Sequence, residues 1–142
     1  MRPPSKRERP ARGTFADWLA HASSDLNLAR LARTRDDILV EQVCFHAQQA
    51  AEKALKAVLL FRGIEFPLTH DIEQLLELAE IGGVVVPVNL DGAGNLTPYA
   101  VEFRYPGHFE EISVGEVDEA ISLAAEMVEW ASVETRDGGS GQ

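Results

Sequence analysis

From Phe15 onward, apolar residues recur at steps of three and four: Phe15, Trp18, Leu19, Ala22, Leu26, Ala29 and Ala32. That period places them on one face of a helix and predicts a first helix over about 15–33. Thr14 stands where an N-cap is needed. The polar break Thr34-Arg35-Asp36-Asp37 follows, and Asp36 or Asp37 is placed to cap the next helix. A second helix is expected over about 38–62, ending at Gly63 in the position that favours glycine. Its inner face reads Val43, Ala47, Ala50, Ala51, Ala54, Leu55 and Val58. Such small residues let other helices approach closely, so this helix should lie at the centre of a bundle.

The pattern then shortens. Pro67 marks a loop, Thr69 is placed to cap a third helix over about 70–80, and Gly82-Gly83 ends it. Residues 84–95 hold three valines, but Pro87 and the glycines after it argue for a partly ordered loop rather than a strand. Thr97-Pro98 reads as the start of a short fourth helix, which Pro106 must stop. Ser113 and Glu116 form a capping box for a last helix. Its stripe is Val117, Ala120, Ile121, Ala124, Val128 and Ala131. The expected fold is all-α: an up-and-down bundle of four to five helices over residues 14–135, with disordered tails at 1–13 and 136–142.

Charge divides the chain. The first thirteen residues carry five cations against Glu8, a net of +4, so the remaining body carries −14 of a total of −10. Phosphate contacts dominate nucleic-acid affinity, and an acidic body supplies few of them. The basic Pro-rich start lacks the apolar stretch of a secretory signal, and no apolar run is long enough to span a membrane. With Cys44 as the one cysteine, no internal disulfide and no cysteine-based metal site can form. A cytoplasmic protein without a membrane association is expected.

Recognisable cofactor chemistry is absent. The sequence holds no phosphate-binding glycine loop and no paired-histidine zinc motif. His21, His46, His70 and His108 fall on four separate segments without ligand spacing. No metal or cofactor is expected. Cys44, beside Phe45 in an apolar helix, reads as a core residue, and Trp18 and Trp130 as core or interface anchors.

The stretch from Cys44 to Ala79 is the most distinctive. The second helix carries Gln48, Gln49, Glu52, Lys53 and Lys56 on its polar side, with Glu52 and Lys56 spaced to pair at i,i+4. Thr69-His70-Asp71 follows in the loop. In these residues the chain resembles the HEPN family, the "higher eukaryotes and prokaryotes nucleotide-binding" domain. The resemblance rests on Trp18, Ala22, Asp25 and Leu26 in the first helix, and on Phe45 to Ala57 in the second. It rests further on Thr69 to Ile72 followed by Leu75-Leu76, and on Arg104-Tyr105-Pro106. It covers about residues 15–133.

The resemblance implies a helical bundle that forms a homodimer. Many prokaryotic members accompany a small nucleotidyltransferase of the MNT type as toxin–antitoxin modules. Active HEPN toxins are metal-independent ribonucleases that bring together an Arg and a His spaced four to six residues apart. Arg104 and His108 are the candidate catalytic pair here. Arg holds phosphate in a bidentate fork and His exchanges protons near neutral pH. Only Tyr105, Pro106 and Gly107 separate them, one fewer than the family spacing allows, and Pro106-Gly107 also reads as a helix stop. Candidate nucleotide or RNA ligands are Arg104, Tyr105, Lys53 and Gln49. The expected function is therefore a dimeric partner-binding subunit, with a ribonuclease toxin and a non-catalytic nucleotide-binding module as the alternatives.

Overall fold

The structure, a computed structural model, describes residues 13–100 and 111–136. The expectations placed on the basic N-terminal residues, on Arg104-Tyr105-Pro106-Gly107-His108 and on the final glycines fall outside the described residues.

The first helix, α1, spans Phe15–Arg33. Thr14 caps it as the sequence predicts, and the cap is reciprocal: the Thr14 hydroxyl accepts from the Asp17 amide at 3.1 Å, and the Asp17 carboxylate accepts from the Thr14 amide at 3.3 Å. Helix α2 spans Val40–Phe61, starting later than the pattern suggested. Its N-cap is Leu39, which makes no side-chain capping bond. Asp37 is unavailable for that role because Arg35 engages both of its carboxylate oxygens, at 3.0 and 2.9 Å. That fork holds the Asp37 carboxyl below its ordinary range. Gly63 takes up φ 71° just beyond the helix, where glycine is favoured.

Helix α3 spans Ile72–Ile81 and α4 spans Val114–Glu134. Asp71 caps α3 by accepting from the Gln74 amide at 3.2 Å. Thr69, the expected cap, instead accepts from the amide of Asp71, two residues on. The capping box of α4 forms between Ser113 and Glu116 as the spacing predicts.

Between α3 and α4 the structure differs from expectation. Residues Val88–Ala100 form a continuous run of 3-10 turns rather than a loop followed by a helix at Thr97. Runs of this length are uncommon, because 3-10 hydrogen-bond geometry is poor and needs tertiary support. The support is a stripe at its own period. Leu90, Ala93 and Leu96 recur every three residues and are buried at 0%, 0% and 1% exposure. Thr97 caps another element altogether: its hydroxyl accepts from the Ile72 amide at 3.1 Å, satisfying a free donor at the start of α3.

Two ion pairs fix the directions of the long helices. Arg33, at the end of α1, bonds Asp118 near the start of α4 at 2.9 Å. Arg62, just past α2, lies 4.0 Å from Glu134 at the end of α4. So α2 and α4 run the same way, and α1 runs against both. The 3-10 segment provides the return. Asn89 reaches Glu126 at 3.2 Å, while Asn95 and Tyr99 lie beside Glu116 and Glu119, so the segment runs opposite to α4.

The result is an all-α bundle, with no strand among the described residues. Helix α2 is its axis, contacting every other element. Its alanines at 47, 50, 51 and 54 are all fully buried, as the small-residue face predicts. Leu55, Val58 and Leu59 join Ile72, Leu75, Leu90 and Met127 in the core. No helix among the described residues is long and apolar enough to cross a membrane.

Candidate functional site

One stripe of the polar side of α2 does not face solvent. Gln48, Glu52 and Lys56, at i,i+4 spacing, are exposed by only 0%, 3% and 5%. Burying charge is costly unless each charge is paired and hydrogen-bonded. The surroundings of Glu52 meet that demand. Its carboxylate accepts from Lys56 Nζ at 2.8 Å and from Gln48 Nε2 at 2.9 Å. His70 Nδ1 lies 3.0 and 3.2 Å from its two oxygens. The i,i+4 pairing of Glu52 and Lys56 read from the sequence is thus present, in the interior rather than on the surface.

Aromatic rings complete the setting. The Lys56 ammonium lies 5.4 Å from the centroid of Trp18 and 5.8 Å from that of Phe66, so ring faces replace part of its lost water. The Trp18 indole N–H is buried without a hydrogen-bond partner among the described residues. Trp18 is therefore an anchor beside a buried cation.

A second carboxylate makes a parallel arrangement between α1 and α2. Asp25 accepts from Lys53 Nζ at 2.7 Å, and His46 Nδ1 lies 3.2 Å from its other oxygen. The side chains of this trio are 15–26% exposed, so the cluster sits at the edge of the interior. Each carboxylate thus holds one lysine and one histidine. Asp25 ties α1 to α2, and Glu52 ties α2 to the loop that leads into α3. Gln48 and Gln49 extend the second cluster: Gln49 Nε2 donates to Gln48 Oε1 at 2.7 Å, and Gln48 Nε2 is 3.4 Å from the His70 carbonyl.

The candidate ligands Lys53 and Gln49 are thereby placed. Both lie on α2, and both are engaged internally, Lys53 with Asp25 and Gln49 with Gln48. The other candidates, Arg104, Tyr105 and His108, lie outside the described residues. His70 turns its ring to Glu52, and Asp71 rather than Thr69 caps α3. Sequence reasoning missed the central position of Glu52 and the role of Asp25. The available signal was the stripe 48, 52, 56, which lies directly beside the apolar face of α2 rather than opposite it.

No group of metal-ligating side chains gathers among the described residues. Cys44 is fully buried, and desolvation, with smaller contributions from Glu116 and Glu41, pushes its thiol up to about 12. Nucleophiles need thiolate at neutral pH, so Cys44 is a packing residue, as its apolar neighbours suggest.

No curated protein matches the chain. The family model for the HEPN domain matches residues 15–135. Among solved structures the chain is similar to the crystal structure of an archaeal HEPN homologue. The two share 30% sequence identity with a TM-score of 0.68, over 87% of this chain and 98% of that one. The match takes in all four α-helices, the 3-10 segment and both carboxylate clusters, and the chain belongs to the HEPN family.

Proposed function

We propose that this protein is a dimeric, partner-binding HEPN subunit of a toxin–antitoxin-like module, and that its partner is a nucleotidyltransferase of the MNT type. The observation that carries the reading is the commitment of the α2 polar residues. Lys53 is neutralised by Asp25 and Lys56 by Glu52, so the cations of the central helix stabilise the fold rather than face a phosphate. The body of the chain carries −14 outside its first thirteen residues, which also disfavours autonomous binding of a polyanion. Apolar side chains are exposed where α1 ends and α2 and α4 begin. Leu31, Leu39 and Val114 are 63%, 65% and 65% exposed, a surface suited to protein contact.

Co-expression with an MNT-type nucleotidyltransferase tests the reading. A complex that survives size-exclusion chromatography is expected, and two proteins that elute separately at micromolar concentration would refute it.

The second reading is a metal-independent ribonuclease, favoured by the residue types of Arg104 and His108. Arg104 would hold the scissile phosphate and His108 would move the proton of the 2′-hydroxyl. The three-residue separation is shorter than in active family members and weighs against it. EDTA-resistant RNA cleavage that disappears in Arg104→Ala would establish it.

A further inference from the structure

A cavity of about 230 Å³ opens between the 3-10 segment and the first half of α4. Leu96, Ala120 and Leu123 make its apolar floor. Its rim is polar and acidic: the Asn95 amide, the Tyr99 phenol and the carboxylates of Glu116 and Glu119. No cation lines it. It shares no residue with the carboxylate clusters on α2.

We infer that this cavity is a binding site for a single cationic group on a short apolar stem, an alkylguanidinium or alkylammonium. Three features select that class. The volume is below the range typical of pockets for drug-sized ligands, so it suits one side chain or a small amine. Two carboxylates over an apolar floor match a cationic head and a methylene stem, and Lys and Arg stems cover apolar surface in this way. An anion such as a nucleotide phosphate would meet repulsion from Glu116 and Glu119. Glu116 gives one oxygen to the Ser113 amide at 2.8 Å in the capping box and still brings its charge to the rim. Tyr99 reports the same field: burial first, then Cys44, Glu116 and Glu119, push its phenol up to about 12.

The proposal stands apart from the partner reading, since it concerns this cavity alone. The test is NMR titration of the full-length protein with n-butylguanidinium and with its neutral isostere n-butylurea, following the Ala120 and Leu123 methyl groups. Saturable shifts with the cation and none with the urea are expected. Glu119→Gln should weaken binding about fivefold, the scale of an exposed ion pair. Asn95→Asp, which adds a carboxylate to the rim, should strengthen it. Glu129→Gln makes the same charge change on an exposed part of α4 away from the cavity and should leave binding unchanged. A blocked alanine peptide carrying one central Arg separates the sources. Tighter binding than n-butylguanidinium assigns the site to a protein side chain, and weaker binding assigns it to a free amine. Equal binding of the urea, equal weakening by Glu119→Gln and Glu129→Gln, or no methyl shift with the cation would overturn the inference.

Discussion

Glu52→Gln is the sharpest probe of the interior. The substitution is nearly isosteric, so packing is kept and only the negative charge is removed. Lys56 then stays at 5% exposure, beside two aromatic rings, without its carboxylate. Removing one partner of a buried ion pair costs about 3–5 kcal/mol. Glutamine keeps one oxygen for Lys56, which places the expected loss near the lower end, about 3 kcal/mol. With a urea slope of roughly 1.5 kcal/mol/M, the unfolding midpoint should fall by about 2 M. Equilibrium urea unfolding followed by circular dichroism and by tryptophan fluorescence measures it. The companion Glu52→Leu with Lys56→Met removes both charges and should recover to within about 2 kcal/mol of the parent, because a buried pair is replaceable by apolar groups. A midpoint shift below about 0.5 M for Glu52→Gln would refute the reasoning, since it would mean that Lys56 finds water or another partner at little cost.

Other consequences are open to direct measurement. With its pKa at about 12, Cys44 should resist alkylation at pH 8. Its thiolate fraction is then about one in ten thousand, against roughly a quarter for an unfolded thiol, so native protein should label more than about a hundredfold more slowly than protein in urea. Folding raises this pKa, so the thiol contributes stability at neutral pH. That contribution is lost as pH climbs from the unfolded value of about 8.5 towards 12, and an alkaline decline in Tm that is shallower in Cys44→Ala, where only Tyr99 still contributes its own loss, would show it. Thr97→Val removes the hydroxyl that accepts from the Ile72 amide and should cost about 1 kcal/mol, with faster hydrogen exchange at Ile72 as its local sign. Unchanged exchange at Ile72 would contradict the capping role.

The long helices were legible because their signals are local. The period of α1, the alanine face of α2 and the Ser113–Glu116 box each specify an element from within a few residues. The 3-10 segment was not, although Leu90, Ala93 and Leu96 carry its three-residue period. Gly92, Gly94 and Pro98 suggested a break, and only burial against α2 and α4 turns that sequence into ordered turns. Thr97 shows the limit of local reading: the local signal makes it the start of a helix of its own, whereas its hydroxyl satisfies a donor twenty-five positions earlier in the chain. Asp37 shows it again, since Arg35 claims the carboxylate that would have capped α2.

The polar stripe of α2 illustrates a different difficulty. Gln48, Glu52 and Lys56 have the composition of a solvated face, and i,i+4 charge pairs are common on surfaces. What moves them inside is α2's position as the axis of the bundle, with the loop before α3 laid across them by the His70–Glu52 contact. The HEPN resemblance was legible for the same reason as the helices, because its motif residues cluster in contiguous stretches. Their structural meaning emerged only from the fold: Asp25, Gln48, Glu52, Lys53 and His70 are the polar framework that locks α1, α2 and the loop before α3 together.

The central claim is that the protein acts by binding a partner and not by cleaving RNA alone. The most direct test expresses the wild type and Arg104→Ala separately in cells, scores growth, and follows RNA integrity there and with purified protein in EDTA. The account predicts equal growth and intact RNA for both. Growth arrest with EDTA-resistant RNA cleavage by the wild type, abolished in Arg104→Ala, would contradict it.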